Sequence, residues 1–200
     1  MALAAMHSAD KDDRSLFEAF DRRRDETSFR RLYGRHTPMI YALALRLCGS
    51  AVEAEDLTQE AWVRAVENHA RFDGRSRYST WLTGILINCF REAARQHARQ
   101  PVSMDPEHGT HAVVATFRER ASASADRYDV ERALSRLPQG YREVVILHDL
   151  NGYTHGEIAG MLDIEVGTSK SQLQRGRTRL RELLTNTAKS QGISDEREIK

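Results

Sequence analysis

The chain has 200 residues, 40% of them hydrophobic and 30% charged, with a formal net charge of +1. That is the composition of a folded soluble chain, long enough for one medium domain or two small ones. A near-zero total excludes a protein that coats DNA by bulk charge, though it leaves local asymmetry open. No apolar run approaches the eighteen or so residues of a membrane span, and the start MALAAMHSADKDD lacks a basic n-region. No membrane insertion and a cytoplasmic location are therefore expected. The two cysteines, Cys48 and Cys89, belong to no CxxC or CxxxH group. Buried thiols are expected rather than a disulfide or a zinc knuckle. The eight histidines are scattered and no HExxH occurs. The expectation is thus no metal, no cofactor and no catalysis.

In chain order, residues 1–14 read as a disordered tail, and a helical pattern runs from Leu16 to Gln100. Thr37 before Pro38 predicts an N-cap, and Ile40, Leu43, Ala44 and Leu47 then share one buried face up to Gly49. A second helix from about Val52 puts Leu57, Ala61 and Ala65 on one side, with Asp56, Gln59 and Glu60 projecting from another. It stops before RFDGRS, whose Asp73-Gly74 turn leads into YSTWLTGILINCFREAARQ, apolar first and basic later at Arg91, Arg95 and Arg99. Trp81 is expected in the core. No strand signal is present.

Composition changes at Pro101: residues 101–126 hold two prolines, a glycine and several serines without a sustained period, the pattern of a linker. Fully extended, that stretch reaches about 85 to 90 Å. Helical periodicity returns at Val130, Ala133, Leu134 and Leu137, then in YREVVILHDL up to Asn151-Gly152.

The segment THGEIAGMLDIEVGTSKSQLQRGRTRLREL predicts a helix-turn-helix. Thr154 and Glu157 have capping-box spacing, and Ile158, Ala159 and Leu162 make a short helix that cannot stand alone. Thr168 is placed to cap a longer helix with Leu173, Gly176 and Leu180 inward and Lys170, Arg175, Arg177, Arg179 and Arg181 within one run. Between Asp129 and Glu165 there are seven acids (Asp129, Glu131, Glu143, Asp149, Glu157, Asp163, Glu165) and three bases (Arg132, Arg136, Arg142), so the positive charge is concentrated on the last helix. In a helix-turn-helix the start of the second helix meets base edges, here Ser169, Lys170, Ser171, Gln172 and Gln174. Gln suits adenine, and Lys and Arg suit guanine or phosphates.

AEDLTQEAWVRAVENHARFDGRSRYSTWL resembles region 2 of bacterial sigma factors of the extracytoplasmic-function class, a branch of the sigma-70 family, and LPQGYREVVILHDLNGYTHGEIAGMLDIEVGTSKSQLQRGRTRLREL resembles their region 4. The resemblance implies an all-α fold of two small domains, a region 2 helical bundle at 15–100 and a region 4 helix-turn-helix at 127–186, joined by the flexible linker 101–126 and followed by a tail at 187–200. It implies binding to core RNA polymerase (β′ and β subunits) and to promoter DNA, and restraint by an anti-sigma factor. Asp56, Leu57, Gln59 and Glu60 match the DLxQE motif that docks on the β′ coiled coil. Asp73, Gly74, Arg75, Ser76, Arg77, Tyr78 and Asn88 match positions that capture a flipped base of the −10 element, with Arg91 and Arg95 suited to phosphates. Thr168, Ser169, Lys170, Ser171, Gln172, Gln174, Arg175 and Arg177 fall to the −35 duplex. The alternative reading is a stand-alone helix-turn-helix regulator.

The chain departs from the family pattern GTVKSRLxRAR at Ser169, where an apolar residue is usual, at Gln172, where arginine is, and at Gly176, where alanine is. Glycine inside a helix costs about 1 kcal/mol against alanine. WLTGILIN also lacks the arginine usual before its isoleucine, which removes one expected phosphate contact.

Overall fold

The computed structural model describes the backbone of residues 2–99 and 125–195, and the side-chain surroundings of residues 12–99 and 129–186. Most of the expected linker, and the end of the chain beyond 195, lie outside those residues. Among the described residues the structure is helical with no strand. The helices are α1 (Ala2–Arg23), α2 (Glu26–Cys48), α3 (Ala51–Glu67), α4 (Tyr78–Arg99), α5 (Ala125–Ser135), α6 (Gln139–Val145), α7 (His155–Leu162) and α8 (Val166–Asp195). A π turn, Ile146–Leu150, prolongs α6, and a 3₁₀ turn, His69–Arg71, follows α3. The chain divides into two compact units, one built on α1 to α4 and one on α5 to α8, with Leu45–Ala51 clustering with the second.

In the first unit, α1 ends where Arg24 takes a left-handed φ of 50° and its N–H bonds to Phe20 O at 2.8 Å. Asp25 then caps α2, its carboxylate accepting from the N–H groups of Thr27 at 3.3 Å and Ser28 at 3.1 Å and from the Ser28 hydroxyl. The expected start at Thr37-Pro38 is therefore corrected: Pro38 lies inside α2. A proline there removes one ladder bond and crowds the carbonyl four residues earlier, at a cost of about 3 kcal/mol. Leu32, Ile40, Leu43 and Leu47 are fully or almost fully buried on either side, so packing carries the helix through it. Thr37, rather than capping, donates its hydroxyl to Tyr33 O at 2.6 Å.

The expected disordered tail is also corrected over its described part. Residues 2–14 belong to α1, and Asp13 is buried, bonded to Arg35 and 2.8 Å from His36 Nε2. Phe17 of α1 packs edge-on to Phe72 at 4.8 Å and near Tyr78 and Trp81, which fixes α1 beside the loop that precedes α4. On α3, Ala54, Leu57, Thr58, Ala61, Trp62 and Ala65 are buried, the three-four spacing of one inward stripe. Cys89 is buried, which pushes its thiol up to about 11 and leaves it unreactive at neutral pH.

In the second unit, α7 opens on the capping box. Glu157 N–H bonds to Thr154 Oγ1 at 3.3 Å, and Thr154 N–H to Glu157 Oε2 at 2.9 Å. Asp163 closes α7 in the left-handed region, φ 52°. The next helix starts at Val166, with Ser169 N–H already bonded to Glu165 O at 3.0 Å, so Thr168 sits within the first turn and is not the cap. α8 crosses α6 at Gly176: a Cβ built there lies 2.7 Å from a Val145 methyl and 3.3 Å from Tyr141 O. The glycine that costs helix propensity is what allows this close crossing. The backbone of α8 is helical to Asp195, within the expected tail at 187–200.

Candidate functional site

Two surfaces carry the sequence-predicted residues of the first unit. On α3, Asp56, Gln59 and Glu60 are exposed and lie within one sector of the helix, and Val52 and Val63 emerge in the same sector at 70% and 46% exposure. Exposed apolar side chains flanking polar and acidic ones on one helix sector are the chemistry of a protein-docking surface. The two valines, eleven residues apart, could have been found by projecting the whole helix, because eleven residues is close to three turns. Leu57, expected in the same motif, is buried against the core instead of standing on this face. Glu60 accepts from Arg64 Nε at 2.7 Å, and Arg64 Nη1 also reaches Glu92 of α4 at 2.7 Å. Hydrogen bonds donated to Glu60 and then Glu92 raise the Arg64 guanidinium above its ordinary value, and they tie this face to α4.

The second surface is the loop before α4 and the outer stripe of that helix. Asp73 accepts from Arg75 N–H at 2.9 Å, and Gly74 takes φ 72°, a turn that exposes Arg75, Ser76 and Arg77 together. Tyr78 is corrected: it is buried among Phe17, Phe72 and Trp81, its phenol pushed up by burial and then by the Asp13 charge. Further along α4, Asn88 and Arg95 are exposed and Arg91 is half-buried, three and four residues apart on one stripe. Asn88 stands ten residues beyond the start of α4, about 15 Å along its axis.

The basic surface is the outer face of α8. Lys170, Ser171, Gln174, Arg175 and Arg177 are exposed on it. Two of the expected base readers turn away. Ser169 is fully buried, with its Oγ 3.0 Å from His155 Nδ1, so the hydroxyl that replaces the usual apolar residue is used inside the motif. Gln172 is half-buried: its Nε2 lies 3.4 Å from where a Cβ on Gly140 would stand, and its Oε1 is buried without a partner. Thr168 is half-buried, its carbonyl accepting from Ser171 Oγ at 3.0 Å. Arg177 is held from the side: its Nη2 and Nε reach the two carboxylate oxygens of Asp149 at 2.6 and 2.9 Å. Those bonds outweigh burial and, with His148, keep the Asp149 carboxyl below its ordinary range.

No described helix is long and apolar enough to cross a membrane, and among the described residues no group of three or more His, Cys, Asp or Glu side chains could hold a metal ion.

The fold is thus a helical unit with an acidic face, followed by a helix-turn-helix with a basic face, and the matches of the chain to known proteins assign it to the sigma-70 class. Residues 32–100 match the family description "Sigma-70 region 2" and residues 127–180 match "Sigma-70, region 4". The chain is 34% identical over 147 residues to the ECF RNA polymerase sigma factor EcfG of Rhodopseudomonas palustris, covering 74% of this chain and 80% of that one. It is 31% identical over 170 residues to SigW of Bacillus subtilis, covering 80% and 90%. Among solved structures, the sigma factor RpoE of Bartonella quintana, crystallised with the anti-sigma factor NepR, superposes with a TM-score of 0.63 at 28% identity, covering 78% of this chain and 96% of that one. The chain belongs to the extracytoplasmic-function RNA polymerase sigma factors.

Proposed function

We propose that this sigma factor docks on core RNA polymerase through the α3 face of Asp56, Gln59 and Glu60, with Val52 and Val63 as apolar contacts at its two ends. It reads the −10 element with the loop Asp73–Arg77 and the α4 stripe Asn88, Arg91 and Arg95, and the −35 duplex with Lys170, Ser171, Gln174 and Arg175. Leu57, Tyr78 and Ser169 act by packing, and Gln172 and Thr168 at the edge of the duplex surface.

The observation that carries the reading is the division on α3. Leu57 turns inward while the polar members of the same motif stand out together between two exposed valines. The chain works in the cytoplasm, where the polymerase is, and makes or breaks no covalent bond itself. Its relative's complex with NepR supports restraint of this chain by an anti-sigma factor as well.

The test is binding of the labelled full chain to core RNA polymerase. The triple variant Asp56→Ala, Gln59→Ala, Glu60→Ala should weaken binding at least about 100-fold, and Val52→Ser with Val63→Ser about tenfold, as expected when the exposed anchors of an interface are lost. Wild-type affinity in the triple variant, with its helicity unchanged, would remove α3 from the interface.

A further inference from the structure

His148 and His155 are seven residues apart on either side of a turn, and the fold stacks their rings with centroids 4.7 Å apart and planes inclined by 30°. The π turn brings His148 round, and the capping box fixes His155 as the first residue of α7. Each ring has its Nδ1 engaged: His148 with Asp149 Oδ1 at 2.9 Å, His155 with Ser169 Oγ at 3.0 Å. Among the described residues, neither Nε2 has a hydrogen-bond partner, and neither ring is buried.

The groups around the pair are unequal in charge. From the π turn come His148 itself and Asp149; from α8 come Lys170 and Arg177; on α7 the nearest acid, Glu157, is committed to Thr154. The one carboxylate near the rings, Asp149, already holds Arg177. Burial first, then repulsion from His148, Lys170 and Arg177, keeps His155 below the ordinary imidazole value, with Asp149 opposing. Two stacked imidazoles beside two fixed cations offer a place for a further negative charge. The first helix of a helix-turn-helix crosses the DNA backbone, and a backbone phosphate supplies that charge to an imidazolium N–H.

We propose that His148 and His155, with Lys170 beside them, form a phosphate site for duplex DNA, and that binding there takes up a proton, so that duplex affinity rises as the pH falls. The proposal rests on the reading of α7 and α8 as a duplex-binding surface and adds to it a ligand group and a linkage. No proton or electron is left over: the proton comes from solvent onto an imidazole nitrogen and returns on release.

Because phosphate contacts are independent of sequence, the probe is a short random-sequence duplex at low ionic strength, titrated into the full chain by calorimetry in two buffers of different ionisation enthalpy. Near about pH 6.5 the wild type should take up a substantial fraction of one proton per complex, and its affinity should rise about fivefold from about pH 8 to about pH 6. The double variant His148→Gln, His155→Gln should bind with the wild type's high-pH affinity at every pH and exchange no protons. Binding by the wild type without proton uptake, or uptake retained in the double variant, overturns the proposal and leaves the duplex-binding surface standing. No binding by the wild type at any pH overturns both. Absence of proton uptake by the wild type overturns the proposal even where the double variant is unstable.

Discussion

Both units contain an aspartate joined to a histidine and an arginine, and the two sets do different things. In the first, Asp13 meets His36 and Arg35 with the aspartate and histidine side chains only 5% and 9% exposed. In the second, Asp149 meets His148 and Arg177 at 26% and 31% exposure, with the arginine at 51%. The residue types are the same and the depth is not. A buried charge pair cannot exchange its partners for water, so it holds α1 against α2; an exposed pair can, so its arginine and histidine remain available to a ligand. Burial separates a structural use of this chemistry from a binding one.

That comparison fails if the two sets respond alike to loss of the aspartate. Asp13→Ala leaves Arg35 and His36 without their buried partner and should destabilise the fold by about 3 kcal/mol in denaturant titration. Asp13 has a further signature. Burial raises its pKa, but the hydrogen bonds and charges of His36 and Arg35 outweigh burial and hold it below the ordinary carboxylate value. Its contribution is therefore complete above the unfolded value, about 3.9, and is lost as the pH falls through the lower folded value; the variant should lose less stability than the wild type over that acid range.

A change of packing alone in the second unit calibrates the scale. Gly176→Ala gains about 1 kcal/mol of helix propensity but forces a methyl against Val145, an overpacking cost of about 1 to 3 kcal/mol. Net destabilisation of about 1 kcal/mol is expected, relieved when Val145→Ala is added; a stabilised single variant would mean that α6 and α8 separate easily. Ser169→Ala removes the buried partner of His155 Nδ1 and should cost somewhat under 1 kcal/mol. Smallest on stability is Asp149→Asn, about half a kcal/mol, because its pairs are at the surface. On DNA its effect has the opposite sign: Arg177 is released, so affinity for a random duplex should increase and the slope of log affinity against log salt should steepen by up to about 0.9. An unchanged slope would show that Arg177 meets no phosphate.

The sequence by itself determined the helices, because three-four spacing of apolar residues is a local property, and it determined the Thr154–Glu157 box and the basic run of α8 for the same reason. It also marked three candidate surfaces, through motifs whose polar members need no neighbour to be recognised. Tertiary structure decided which members of those motifs face out. Leu57, Tyr78 and Ser169 lie within them yet point inward, and only the position of the neighbouring helices makes one side of a helix the inner one. The same holds for Pro38, a local stop signal outweighed by the buried leucines around it, and for Asp13, assigned to a tail until His36 and Arg35 were seen to cover it. His148 and His155 were scattered residues along the chain; the capping box that places His155 is local, but the meeting of the two rings across the turn is a property of the folded unit.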